Sequence, residues 1–168
     1  WQTAVKAEKP LIICFGIGTN IGGHERGGCL GEYLESRGNY SGVCAVAACG
    51  NEANAGHHYR SGLLRSGQDV EVELRTGSDD GFTIELWGDA PNLYAIGIIS
   101  PSGEYSGKTT AKLGEQHRIR FVLEKTVVDI DYLITAYESG DECVRLRFSS
   151  VEPGLWKIRV FNDNPYFP

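Results

Sequence analysis

The chain contains no methionine, and its first residue is Trp1. No charged-then-apolar leader opens it, so a piece of a longer protein is expected rather than a natural N-terminus. Also missing is any apolar run near the length of a membrane helix, so a helical membrane span is not expected. Positive charge is scarce: 16 Lys and Arg stand against 22 Asp and Glu, a net charge of -6. A surface that grips phosphates needs clustered Lys and Arg, which excludes nucleic acid as a partner. Peptides, proteins or small molecules remain. The five cysteines, Cys14, Cys29, Cys44, Cys49 and Cys143, are odd in number and form no CxxC pair. That pattern speaks against a disulfide framework and for free thiols in a reducing compartment. Cys14, Cys44 and Cys49 lie in apolar segments and are expected to be reduced and buried.

What is present has the composition of a folded protein. Of 168 residues, 41% are hydrophobic and 23% charged, close to the globular average and enough for a real core. Up to about residue 58 strand and helix alternate. Residues 10 to 17, PLIICFGI, suit a strand buried on both faces, and residues 42 to 49, GVCAVAAC, suit a second. Between them a Gly-rich loop leads into a helix expected over 26 to 38, where Cys29/Tyr33 and Leu30/Leu34 share a face and Gly38 ends it. Strand, helix and strand, with both strands apolar throughout, predict a parallel α/β sheet fragment over residues 1 to 58.

After Tyr59 the period becomes two. Val70, Val72 and Leu74 alternate with polar neighbours, as do Phe82/Ile84/Leu86, Ile119/Phe121/Leu123, Val128/Ile130/Tyr132/Ile134, Val144/Leu146/Phe148 and Trp156/Ile158/Val160. Gly, Pro, Ser and Asp turns separate these runs, as at Pro101-Ser102-Gly103 and Pro153-Gly154. The pattern predicts an all-β antiparallel sandwich over 59 to 168 with no long helix. Its interior is expected to hold Val72, Phe82, Ile84, Leu86, Phe121, Leu146, Trp156 and Ile158.

The apolar strand at 44 to 49 stops at Gly50-Asn51-Glu52. Taken alone, that tripeptide is first of all a turn, because Asn and Gly tolerate left-handed backbone. Its surroundings add to it. A buried strand ending in Ala-Ala-x-Gly-Asn-Glu, preceded by Gly18-Thr19-Asn20-x-Gly-x-His24 and a helix carrying Leu30-Gly31-Glu32-Tyr33-Leu34, resembles the subtilisin-like serine peptidases. The passage from GNEANAGHHY into an all-β segment with ELWGDAPNLYAIGIISPSGE is similar to the clostridial Csp-type members, which carry an inserted jelly-roll domain. Two positions depart from the family pattern: Cys49 stands where Ala or Gly is usual, and Ala53 replaces the Gly that would accept φ > 0.

The resemblance implies peptide-bond hydrolysis through an acyl-enzyme, with Asn51 as the oxyanion-hole donor. A preorganised donor aimed at a developing oxyanion is worth about 3–4 kcal/mol, or ~10²–10³ in rate. It also implies that Gly16, Ile17 and Gly18 align the substrate backbone by strand addition; the plainer alternative for these three is a strand-to-loop exit. The implied partners are a peptide or protein substrate and the remainder of the parent peptidase. No Asp, His and Ser motifs of a triad occur in the chain, so by itself it is expected to be inactive. A catalytically dead germination-signalling relative, or a carbohydrate-binding module using Trp87 and Tyr94, are the alternatives.

No cofactor or metal is expected. His57 and His58 are neighbours on extended chain and point to opposite faces, so they do not chelate one ion. Residues 16 to 28 lack the Lys-Ser or Lys-Thr that ends a phosphate-binding loop. Glu138, Asp141 and Glu142 read as a solvated acidic turn rather than a calcium site.

Overall fold

The computed structural model describes residues 1–23, 28–52, 54–77, 79–112, 115–136 and 140–164. The chain divides into two compact units, Trp1–His58 and Tyr59–Pro168.

The first unit holds α1 (Gln2–Lys6), β1 (Leu11–Phe15), α2 (Cys29–Gly38) and β2 (Val43–Ala47). The two strands pair in parallel, with Leu11 opposite Val43 and Phe15 opposite Ala47. A parallel pair needs a crossover, and α2 lies within it. The Arg37 guanidinium lies 5.0 Å from the Tyr33 ring centroid and 5.9 Å from those of Trp1 and Tyr40. Stacking on aromatic faces lets this long cation pack while staying charged.

A parallel α/β sheet fragment is not what the structure holds. Among the described residues the parallel sheet ends at these two strands, and the chain as a whole is mostly antiparallel. Residues Leu11–Phe15 alternate half-buried and exposed, Ile12 is 68% exposed, and most of β2 is exposed. A continuous apolar run records what a strand could bury, not whether sheet neighbours and helices cover both faces. Cys14, Cys44 and Cys49, expected to be buried, are exposed for the same reason, and it is Cys143 that is buried. All the cysteines are free thiols.

The second unit holds β3 (Asp69–Thr76), β4 (Asp79–Gly88), β5 (Tyr94–Ile99), β6 (Tyr105–Thr109), β7 (Gln116–Arg120), β8 (Val127–Leu133), β9 (Glu142–Val151) and β10 (Gly154–Asn162). They form two four-stranded antiparallel sheets, in the orders β3-β10-β5-β6 and β4-β9-β8-β7. Both contribute to one core: Ile96, Ile98, Trp156 and Ile158 from the first, Val128, Ile130, Leu146 and Phe148 from the second. The Trp156 indole is fully buried between them, edge-on to Phe121 at 5.0 Å and to Phe148 at 5.6 Å. Its Nε1–H donates to the Glu152 carbonyl at 3.1 Å, which satisfies its polar atom.

Connections of two kinds join these eight strands: β3–β4, β4–β5, β6–β7 and β9–β10 pass from one sheet to the other. The others, β5–β6, β7–β8 and β8–β9, pair in chain order within a single sheet. Of the residues assigned to the interior, Phe121, Leu146, Trp156 and Ile158 are buried, while Val72, Phe82, Ile84 and Leu86 are half-buried on the outermost strands β3 and β4. Leu123, which continued the alternation of Ile119 and Phe121, is 70% exposed. β7 has ended at Arg120, and Val122–Glu124 form the turn into β8, so the period no longer applies.

Candidate functional site

β1 and β2 are parallel, so their carboxyl ends lie side by side. Past the last pair, the Ala48 N–H donates to the Phe15 carbonyl at 3.0 Å. Beyond that point two loops leave the same edge, and carboxyl ends of parallel strands are where α/β proteins place their ligands. Gly16, Ile17 and Gly18 leave β1; Gly50, Asn51 and Glu52 follow the end of β2. A Cβ added to Gly18 would stand 3.7 Å from the Gly50 Cα, so the two loops touch through glycine backbone. Gly50 has φ 109°, a conformation that a side chain would resist. Asn51 comes next, at an exposed bend. Among the described residues no hydrogen-bond partner engages its amide.

The structure therefore brings Gly18 beside Gly50, the residue that precedes Asn51. Gly16 and Ile17 run past the end of β1 without strand pairing; Ile17 is 79% exposed, and a Cβ on Gly16 would meet open space. Ala53 and His24, both part of the sequence pattern, lie outside the described residues.

Glu52 has a role that sequence reasoning missed. Its Oε2 accepts a hydrogen bond from Asn20 Nδ2 at 2.7 Å and lies 2.7 Å from His57 Nδ1. The bond from Asn20, and after it the one from His57, hold the carboxyl below its ordinary pKa, since both favour the charged form. One carboxylate thus joins the loop after β1, the end of β2 and the segment leading out to His57. Two local turns support it: the Ile21 N–H donates to Thr19 Oγ1 at 3.1 Å, and the Ala55 N–H to the Glu52 carbonyl at 2.6 Å. Asn20 and Glu52 both belong to the quoted motifs, yet they are 32 residues apart, and the parallel register of β1 and β2 is what brings their loops together.

The other sequence candidates lie in the second unit. Glu142 is not in a solvated turn: it is 2% exposed and begins β9. Asp141 is half-buried and accepts the Ala90 N–H at 3.0 Å, while Glu138 lies outside the described residues. Trp87 and Tyr94 offer no exposed aromatic platform. Both are half-buried; Trp87 Nε1 donates to Glu85 Oε2 at 3.2 Å, and the Tyr94 ring occupies the space above Gly88 where a Cβ would stand. Among the described residues no group of His, Cys, Asp or Glu is arranged to hold a metal ion, and no helix is long and apolar enough to cross a membrane.

No protein-family model and no curated protein matches this chain. Among solved structures, the fold is similar to that of the Clostridium perfringens CspB protease, with a TM-score of 0.84 and 19% sequence identity. The likeness covers 99% of this chain and 36% of that one, so the chain spans little more than a third of that protease. At such an identity the shared property is the fold.

Proposed function

We propose that the chain is part of a serine-type endopeptidase of the subtilisin-like kind, in which Asn51 donates to the oxyanion of the tetrahedral intermediate. The observation that carries the reading is the position of Asn51. It follows the positive-φ Gly50 at the carboxyl end of a parallel strand, against Gly18, with its amide exposed and unengaged among the described residues. A donor for an oxyanion has to be held in place while its N–H remains available for the charge that develops. The likeness in fold to a clostridial protease supports the same reading.

In this proposal Gly16 to Gly18 present backbone to an extended peptide, because glycine removes the side chains that would obstruct strand addition. The Asp, His and Ser of the triad would come from other parts of the parent peptidase. Asn51 would then lower the barrier by binding the oxygen only as it becomes negative.

The test is to treat the full-length parent and the 168-residue chain with a serine-directed fluorophosphonate probe and with a peptide ester. Covalent labelling and turnover by the parent, with neither from the chain alone, is the expected result. A parent that takes up no label and cleaves no ester overturns the peptidase reading and leaves the germination-signalling alternative.

A further inference from the structure

We infer that Glu52 is a positioning residue whose carboxylate, bridging Asn20 and His57, clamps the two strand-end loops and so fixes the adjacent Asn51. The inference rests on the oxyanion role proposed for Asn51. A side chain at an exposed bend has freedom to wander, and a misplacement of about 1 Å is enough to cost ~10² in rate. Gly50 makes the problem worse, because φ 109° is reached by a residue with no side chain to stiffen it. The next residue supplies the remedy. Glu52 Oε2 holds Asn20 Nδ2 at 2.7 Å across a separation of 32 residues and His57 Nδ1 at 2.7 Å across five. Both bonds involve an ionised acceptor, which makes them stronger than neutral ones. The titratable groups that face Glu52 are His57 and His58, whose positive charge when protonated favours its carboxylate.

Glu52 in this role differs from a residue that touches substrate. A clamp needs acceptor oxygen in the right place; a substrate contact through charge needs the negative charge itself. Gln keeps the acceptor and discards the charge.

The experiment is a double-mutant cycle in the full-length parent on a peptide ester, with Asn51→Ala, Glu52→Ala, Glu52→Gln and the double alanine variant. Glu52→Ala is expected to lower kcat about 10- to 100-fold with KM within about two-fold, and Glu52→Gln to recover most of that loss. The double alanine variant is expected to lose no more than Asn51→Ala alone, because the clamp acts through Asn51. Losses that multiply, or a Glu52→Gln variant as poor as Glu52→Ala with a raised KM, overturn the clamp while leaving the oxyanion role intact. Asn51→Ala without effect on kcat overturns both. A second measurement needs no turnover: the side-chain amide resonances of Asn20 in the 168-residue chain should move in Glu52→Ala and stay close to their places in Glu52→Gln. An Asn20 amide unmoved by Glu52→Ala overturns the clamp by itself.

Discussion

The carboxylate of Glu142 accepts the backbone N–H of Tyr94 at 2.7 Å through Oε2, while its Oε1 is buried with no hydrogen-bond partner among the described residues. One residue on β9 thus ties down the first residue of β5, in the opposite sheet, and leaves half of its charge unsolvated. Burial pushes the Glu142 pKa up to about 7, against the smaller opposing effect of the Tyr94 bond. Tyr94, Tyr132 and Cys143 lie close enough to feel its charge. Burial raises all three, the last two to about 12, so they stay neutral near pH 7.

The pH dependence follows with a definite sign. A carboxyl raised in the folded state binds its proton more tightly there than in the unfolded chain, so stability falls as pH rises from about 4.5 to about 7 and then levels. The upper limit of the effect is on the order of 3 kcal/mol. Urea melts of the chain should show a lower midpoint at about pH 8 than at about pH 5.5, and Glu142→Gln should remove most of the difference. Asp129 works in the opposite direction, but only in acid: its hydrogen bond from Arg118, the larger cause, lowers its pKa. Its contribution is lost as pH falls below about 4.

Trp156 is the residue on which both sheets close. Trp156→Ala should cost about 3–5 kcal/mol in a urea melt, because it removes the ring that fills the space between Phe121 and Phe148. Trp156→Phe should cost distinctly less. A loss below about 1 kcal/mol for the alanine variant would contradict this packing.

The thiols should react in two classes. Cys14, Cys29, Cys44 and Cys49 are exposed and Cys143 is buried, with burial pushing the Cys143 pKa up to about 12. A thiol reagent added to the folded chain should modify the four exposed cysteines quickly and Cys143 only after denaturant. Rapid modification of Cys143 without denaturant would count against the β8–β9 packing described above.

The antiparallel unit was largely legible because each strand has a wet face and a dry face, and period two records both. Leu146, Trp156 and Ile158 could be placed inside from their neighbours alone. Legibility failed where a strand stopped: nothing in Ile119/Phe121/Leu123 announces that the turn at Val122–Glu124 has begun, since the side chains remain apolar. Leu123→Ser should accordingly change stability by no more than about 0.5 kcal/mol, whereas Phe121→Ala should cost several times that. Strand pairing order was not legible either, because hairpins within a sheet and crossings between sheets use the same turn residues. In the first unit β1 and β2 pair in parallel, but among the described residues the sheet stops at these two strands and leaves them largely exposed, which apolar runs alone do not reveal. The place of Asn51 at the end of a strand could be read from Gly50-Asn51-Glu52. Its neighbours could not, since the Asn20–Glu52–His57 contacts depend on how two parallel strands are set in register.

In the function proposed above, Asn51 binds an oxyanion rather than only turning the chain. Steady-state kinetics of Asn51→Ala in the full-length parent, beside urea melts of both proteins, separates the two roles. If Asn51 is the donor, kcat falls by about 10²–10³ with KM within a few-fold and the urea midpoint nearly unchanged. If Asn51 only shapes the turn, kcat is unchanged and stability drops by roughly 0.5–2 kcal/mol, and that outcome would contradict the account.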